Sequence, residues 1–354
     1  MAFLEVKNVR IAGISASVPQ KVISNLDIKD VSKDYEASDF VEVTGVKERR
    51  IDDLTVSDLG VPAVERLLSD LGWNKDEIDG LIVVTQNADY ILPATACIMQ
   101  DVLGLSKECA ALDISLGCSG WVYGLSCVAG LMSGGTLRKC ILVCSDAKRR
   151  VNYDNPLFGF AATATAVEYQ EGAEGFKFHL GTDGSGYDAI IIPDGGARNQ
   201  IHQDTSFIPQ DIDGKPYTPL QTHMNGMDVF SFGITTAPKS VKTLASHYGF
   251  DYQSYDYLVL HQANMKMNNM IAKKLKFEKE RVPSCMWNFG NTSSASIPLT
   301  VVTELKDACS KRKVSLLCCG FGVGLSWGTV ALELDNAVIS DLVEVNQKCR
   351  EEWA

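Results

Sequence analysis

The sequence repeats itself, and a chain made of two similar halves is restricted to a small set of pseudo-symmetric architectures. In the first half a helical stretch over 61–71 leads to an apolar strand at 81–84 and a helix over 94–103. A strand at 111–115, Cys118, an apolar helix and a strand at 141–144 follow. In the second half a helix over 237–247 leads to a strand at 258–260 and a helix over 267–275, then a strand at 282–286, Asn291, a helix and a strand at 316–319. Leu81 precedes Cys118 by 37 residues and Leu258 precedes Asn291 by 33; Cys118 precedes Ile141 by 23 and Asn291 precedes Leu316 by 25. Short continuous runs of Val, Ile, Leu and Cys separated by helix-length segments read as parallel strands covered on both faces, so the class is α/β. The halves divide as 1–172 and 173–354.

The helix after Cys118 carries Val122, Leu125, Val128 and Met132 at helical spacing, with Trp121, Gly130 and Leu131 rather than charge on its other faces. A helix apolar all round is a buried one. The segment from Gly195 to Thr222 is polar, contains Pro209 and Pro216 and shows no period, which predicts a long loop. Over 335–354, Val338, Leu342, Val345 and Cys349 recur at helical spacing and predict an added C-terminal amphipathic helix.

Composition narrows the function classes. With 33 Lys and Arg against 44 Asp and Glu, the formal charge is −11, and no broad basic surface is available for nucleic acid. The eleven cysteines fall inside apolar runs such as Leu316-Leu317-Cys318-Cys319, which reads as reduced thiols. Glu5, Lys7 and Arg10 interrupt the N-terminal apolar stretch, so a signal peptide's continuous core is lacking. No run approaches the roughly 18 apolar residues of a membrane span. A cytoplasmic protein with no membrane partner is the expectation.

Three residues stand where chemistry is built. Cys118 lies in Gly117-Cys118-Ser119-Gly120, between a strand and the buried helix. A thiol at a helix N-terminus feels the positive end of the dipole, which favours the thiolate and lowers its pKa from about 8.5. The alternative is an inert buried thiol. His261 follows the strand 258–260, at the carboxyl end where α/β folds gather reactive groups, although a lone His is more often structural. Asn291 opens a helix among small residues, where a simple N-cap is the bland reading. The repeat puts Asn291 in the place of Cys118, so a pseudo-twofold axis would bring the two together.

Gly320-Phe321-Gly322-Val323-Gly324 is not a dinucleotide fingerprint, since Leu325 takes the final glycine position and the turn follows the last core strand. Such a turn can aim a backbone N–H at an oxyanion. The sequence holds no Walker A motif, CxxC pair or HExxH, so a metal or nucleotide cofactor has no support. Lys266, Lys273, Lys274 and Lys276 make the helix after His261 basic in an acidic chain. Beside a candidate site such a cluster can steer an acidic partner, while for Lys279 and Arg281 a solvated face is the default.

These residues together resemble the β-ketoacyl-acyl carrier protein synthases of type III, within the thiolase superfamily. The anchors are Thr44-Gly45-Val46-Lys47-Glu48-Arg49-Arg50-Ile51, the Cys118 turn, His261-Gln262-Ala263-Asn264, Gly290-Asn291-Thr292-Ser293 and Gly320-Phe321-Gly322-Val323-Gly324-Leu325-Ser326-Trp327-Gly328, and the likeness runs from about residue 5 to 334. It implies a duplicated five-layer αβαβα fold, a homodimer, and a Cys-His-Asn set at Cys118, His261 and Asn291. The N–H groups of Cys118 and Val323 would hold the oxyanion. Acyl transfer from a coenzyme A or carrier-protein thioester to Cys118 would precede decarboxylative condensation with a malonyl-carrier thioester, without a cofactor. The resemblance further implies a substrate pocket with Leu92, Phe321, Asn264 and Gly226, Leu92 reaching in from the neighbouring subunit, and carrier docking on Lys266, Lys273 and Lys274.

The chain departs from the family pattern at five points. Gly117 precedes the nucleophile, and Gly159-Phe160-Ala161-Ala162-Thr163 stands where the family has Gly-Asp-Gly-Ala-Gly, which predicts a different site floor. Phe40 replaces, one position away, the tryptophan that flanks a coenzyme A adenine, and the arginine partner falls in a shortened stretch between Ala147 and Phe158. Leu92 takes the place of an aromatic, which predicts room for a longer or branched acyl chain. Rival readings are acyl transfer to an alcohol or amine on the same fold, a thiolase using Cys318, a papain-like protease with the same Cys, His, Asn order, and a non-catalytic subunit of a heterodimeric synthase. Retention of all three candidate residues favours condensation.

Overall fold

Alternation along the central strands sends neighbouring side chains into different layers. On Gly80–Val84, Ile82 and Val84 enter one apolar cluster while Leu81 and Val83 enter a second. On Val314–Gly322, Leu316 and Cys318 turn to the first cluster, and Leu317, Cys319 and Phe321 to a third. Strands buried on both faces need a covering layer on each side. The computed structural model describes residues 2–28, 36–147, 155–201, 210–212 and 215–349, and it contains those layers.

Two sheets sandwich a central helical layer. One sheet runs Val338–Ile339, Val9–Pro19, Ala161–Tyr169, Lys139–Asp146, Gly80–Val84, Ala110–Ile114, with Val343–Val345 also paired to Val9–Pro19. The other runs Ala2–Val6, Phe176–Thr182, Ser326–Leu334, Val314–Gly322, Tyr257–Leu260. Helices Gly120–Met132 and Ser296–Glu304 share a cluster with the inner faces of both sheets. Helices Val56–Leu71 and Thr95–Leu103 cover one outer face, and Gly226–Tyr248 and Met265–Leu275 the other. This is the expected five-layer αβαβα arrangement.

The repeat is written in the pairing. Gly80–Val84 lies parallel to Lys139–Asp146, which pairs antiparallel with Ala161–Tyr169. In the second half Tyr257–Leu260 lies parallel to Val314–Gly322, which pairs antiparallel with Ser326–Leu334. The chain ends cross over: Ala2–Val6 pairs into the second half's sheet, and the C-terminal strands pair into the first half's.

Three expectations are corrected or refined. Residues 282–286 do not form a strand; a short 3-10 turn, Lys279–Arg281, leads to the helical turn Met286–Phe289. Pro283 lacks the N–H a ladder would use, which disfavours a strand there. The expected C-terminal helix is absent among the described residues: the segment forms the short strands Val338–Ile339 and Val343–Val345, both parallel to Val9–Pro19. Pairing the open backbone of that strand satisfies groups that a separate helix would leave at a sheet edge, and three of the five strand residues are valines. Residues 350–354 of the predicted helix lie outside the described residues. The predicted loop over 195–222 contains a small hairpin, Gln210–Ile212 with Lys215–Tyr217, and is closed at its base by pairing of Ile190–Ile191 with His223–Met224. No helix among the described residues is long and apolar enough to cross a membrane.

Candidate active site

Cys118 enters the site from a tight turn, in which the Gly120 N–H donates to the Gly117 carbonyl at 2.7 Å just before helix Gly120–Met132 begins. Its position depends on the glycine turn ending Val314–Gly322. A Cβ on Gly322 would lie 2.6 Å from Cys118 Cβ and 2.9 Å from Sγ, and one on Gly320 would lie 2.9 Å from the Cys118 carbonyl oxygen. The turn therefore leaves room for the thiol, a role its sequence did not reveal. The backbone N–H groups of Cys118 itself and of Val323 favour the ionised form of the sulfur.

His261 prolongs the parallel ladder beyond Tyr257–Leu260, its N–H donating to the Cys319 carbonyl at 2.9 Å. The ring is buried. Its Nδ1 lies 2.8 Å from the Ser296 hydroxyl, which also accepts the Gln262 N–H at 3.3 Å, and Phe321 meets the ring edge-on at 5.6 Å. Asn291 is pinned by the other half of the molecule: its N–H donates to the Leu157 carbonyl at 2.9 Å, and its carbonyl accepts the Gly159 N–H at 3.1 Å. The Asn291 Oδ1 accepts the Ser293 N–H at 2.9 Å, which among the described residues leaves the side-chain NH2 as the free donor.

All three open onto one cavity of about 350 Å3. Phe321, Val323, Asn264 and Gly226 line it as well. Asn264 also caps the helix behind it, its Oδ1 accepting the Met267 N–H at 2.8 Å, and Gly226 starts helix Gly226–Tyr248. One wall is apolar, built from Leu157, Phe158, Met224 and Ile190–Ile191 with Ile192. Leu92 is not part of this wall; it is 84% exposed on a loop with the 82% exposed Ile91. Lys266, Lys273 and Lys274 lie exposed on helix Met265–Leu275, Lys266 over the Phe230 ring at 5.9 Å and Lys274 donating to the Ile234 carbonyl at 2.8 Å.

The titration of the site differs from expectation in one respect. Burial pushes the Cys118 thiol up to about 11, and the nearby Asp146 carboxylate adds to the shift. Bonds from the Ser293 hydroxyl and the two backbone N–H groups pull the other way without prevailing. Although the residue keeps some exposed surface, the surrounding protein outweighs the helix terminus that the sequence suggested, because helix-end stabilisation is small beside desolvation. His261 is held down to about 3 by burial, the Ser293 backbone offsetting little, so the ring is neutral near pH 7.

The departures also find their places. Gly117 makes room for the side chain of Gln86, whose Oε1 occupies the space of a Cβ there. Phe160 packs against the cluster beneath helix Val56–Leu71, while Leu157 and Phe158 line the cavity. Phe40 is half-buried in helix Ala37–Thr44 and does not line the cavity. The stretch expected to hold the arginine partner overlaps residues 148–154, outside the described residues. Sequence reading missed Ser293, Gln86, Asn87 and Asp146 in the cavity wall. Ser293 was within reach, two residues after Asn291; Gln86 and Asn87 follow a strand's carboxyl end, the same address as His261. Among the described residues no group of three or more His, Cys, Asp or Glu is arranged to hold a metal ion.

The chain is similar over most of its length to known proteins. Residues 112–184 match the model of 3-oxoacyl-[acyl-carrier-protein (ACP)] synthase III, and residues 245–334 match the model of its C-terminal part. The β-ketoacyl-[acyl-carrier-protein] synthase III of Clostridium acetobutylicum is 32% identical over 334 residues, covering 92% of this chain and 98% of that protein. The crystal structure of a 3-oxoacyl-(acyl-carrier protein) synthase from Burkholderia xenovorans superposes with a TM-score of 0.89 at 37% identity, covering 97% of this chain and 99% of that one. The priming β-ketosynthase of the R1128 polyketide biosynthetic pathway superposes with a TM-score of 0.78 at 25% identity, covering 94% and 97%.

Proposed function

Because the chain belongs to the β-ketoacyl-[acyl-carrier-protein] synthase III family, a family of condensing enzymes, we propose that it joins an acyl group to a malonyl-carrier thioester in fatty acid or polyketide biosynthesis. Cys118 is the nucleophile, and His261 and Asn291 are the donors that carry decarboxylation. The observation that carries this reading is the shared cavity: a thiol flanked by two backbone N–H groups, a neutral buried imidazole and an amide held donor-outward.

The chemistry follows from those atoms. The Cys118 sulfur attacks an acyl thioester while the N–H groups of Cys118 and Val323 stabilise the oxyanion. Collapse breaks the old C–S bond, and the released carrier thiolate takes the proton that Cys118 gives up. The malonyl thioester then loses CO2, and the electron pair of the broken C–C bond becomes an enolate. Its oxygen receives hydrogen bonds from His261 and from the Asn291 NH2. Nδ1 of His261 is engaged by the Ser296 hydroxyl, so Nε2 serves the substrate. A neutral ring suits this task, since an imidazolium would give its proton to the enolate and quench the carbanion. The carbanion attacks the acyl group on Cys118, the thioester bond breaks, and the departing Cys118 thiolate takes a proton from solvent. No cofactor is needed.

The apolar wall of Ile190, Ile192, Met224 and Leu157 suits an alkyl primer carried by coenzyme A or by a carrier protein. Lys266, Lys273 and Lys274 dock the acidic carrier, supported by their exposure on the helix whose cap, Asn264, lines the cavity. A homodimer accounts for two open features: the loop with exposed Ile91 and Leu92, and the edge strand Ala110–Ile114 with Leu112 39% exposed. Leu92 then closes the neighbour's acyl pocket. Incubation with an acyl thioester and malonyl-carrier protein tests the reading: CO2 and a β-ketoacyl-carrier product should form one for one. Acyl transfer to an alcohol or amine without CO2 would replace it with the acyltransferase reading, and failure of any thioester to acylate the folded protein would favour a partner subunit.

A further inference from the structure

We propose that Ser119 and Ser326 are positioning residues: a relay from the Ser119 hydroxyl to the Ser326 hydroxyl to the Val323 carbonyl ties the glycine turn to the nucleophile turn and aims the Val323 N–H at the oxyanion. The inference rests on the acyl-enzyme reading and deepens it. A helix end points to it first. Thr55, Asn225 and Asn264 cap their helices in the usual way, each side-chain oxygen accepting an N–H of the first turn. Ser119 stands at the N-cap of helix Gly120–Met132 and makes no such bond. Its hydroxyl lies instead 2.7 Å from that of Ser326, 207 residues away in the other half. Ser326 donates its own proton to the Val323 carbonyl at 2.7 Å, so the proton between the two hydroxyls comes from Ser119.

The relay joins the two elements that meet at the thiol. Gly322 and Ser326 pair across the hairpin of Val314–Gly322 with Ser326–Leu334, and Val323, Gly324 and Leu325 turn between them. A Cβ on Gly320 would come within 2.9 Å of Ser119 Cα, as one on Gly322 would of Cys118 Sγ. Such close approach sets the spacing of the two turns, but it leaves the peptide planes of the glycine turn able to rotate. Leu325 is fixed by Asp183, whose N–H donates to the Leu325 carbonyl at 2.8 Å while the Leu325 N–H donates to the Asp183 carbonyl at 3.0 Å. Val323, which lines the cavity beside Cys118, is fixed at its carbonyl by Ser326. Both hydroxyls are buried and therefore need partners, and the relay supplies them. Alanine at either place would need none and would leave the turn untied. An oxyanion donor stabilises most when it is already aimed before the charge develops, which is what a clamped Val323 provides.

Two reactions of the same thiol, compared in the full-length protein, test the relay. Acyl transfer from acetyl-, butyryl- or octanoyl-coenzyme A, or from the same acyl groups on acyl carrier protein, passes through an oxyanion and is followed as the adduct in rapid-quench intact mass. Alkylation of Cys118 by iodoacetamide forms no oxyanion and is followed by mass of the peptide that carries it. Ser326→Ala should slow acylation at saturating thioester by about tenfold, with the half-saturating concentration unchanged and alkylation at the wild-type rate. Ser119→Ala keeps the Ser326 bond to Val323 and should slow acylation about two- to threefold; it carries the test by itself if Ser326→Ala does not fold. The double variant should match Ser326→Ala within about twofold, because both hydroxyls act through one carbonyl. Wild-type acylation in both single variants would overturn the proposal, as would an equal slowing of acylation and alkylation, the mark of a displaced thiol. A wild-type thiol that alkylates but takes an acyl group from none of these donors would overturn the acyl-enzyme reading, and the proposal with it.

Discussion

The two halves pair their strands alike and finish differently. In the first, the Ala110–Ile114 strand runs to the turn that holds Cys118; in the second, a 3-10 turn and Met286–Phe289 stand in that strand's place and deliver Asn291. The same place in the repeat carries sulfur in one half and an amide in the other. The duplication fixes where a reactive group emerges, and the local sequence decides what it does. The extra strand also leaves the first half with an open edge. The second half supplies His261 and the glycine turn, so in the proposed mechanism the nucleophile of one half works against the donors of the other.

The largest expected effect comes from the first half alone. Cys118→Ala should lower condensation by on the order of 10⁴-fold or more in a coupled turnover assay, with no acyl adduct in intact mass spectra. His261→Ala or Asn291→Ala should lower CO2 release by about 10²- to 10³-fold, since each removes a donor from the developing enolate, while acylation of Cys118 persists.

Gly322→Ala probes the contact between the halves. The added methyl would press on Cys118 Cβ at 2.6 Å, so acylation should fail and thermal unfolding should show a loss of about 1–3 kcal/mol. If the variant acylates normally, the strand end is not packed against the thiol.

Much of this division was legible before any coordinates. The matched spacings, the strand runs and the apolar helix after Cys118 gave the class and the addresses of Cys118, His261 and Asn291, because burial on both faces leaves continuous apolar runs. The second half's missing strand was not legible from period alone, since Val282 and Met286 are apolar in either state and only Pro283 argued against pairing. The tail misled for a related reason: Val338, Leu342 and Val345 fit a helical spacing, but an open sheet edge elsewhere in the chain decided their state. The Cys118 titration was misjudged because a helix terminus can be read from sequence and desolvation cannot.

The pH dependence sharpens the contrast between donor and nucleophile. His261 titrates at about 3, below its ordinary value near 6.5, so CO2 release should stay flat as pH falls from 8 through 6.5. The folded state binds fewer protons than the unfolded state between those values, so stability should decline as pH falls through that window. A step in CO2 release near pH 6.5 would mean the ring titrates as if exposed. Alkylation of Cys118 should instead keep rising with pH up to about 11.

The smallest effect lies outside both halves' chemistry. Lys273→Glu with Lys274→Glu should raise KM for a carrier-borne substrate by roughly three- to tenfold, less so at high salt, while a coenzyme A thioester is used as before. Equal change with both substrates would indicate damage to the cavity rather than to docking.

The division of labour is read most directly from two half-reactions run side by side: CO2 release from malonyl-carrier protein by Cys118→Ala, and acyl-adduct formation by His261→Ala. Continued CO2 release by the first variant and a normal acyl adduct on the second would show a nucleophile and a donor set that act separately from opposite halves. Loss of CO2 release in Cys118→Ala together with loss of the adduct in His261→Ala would contradict it, because the thiol would then depend on the imidazole for its own reactivity.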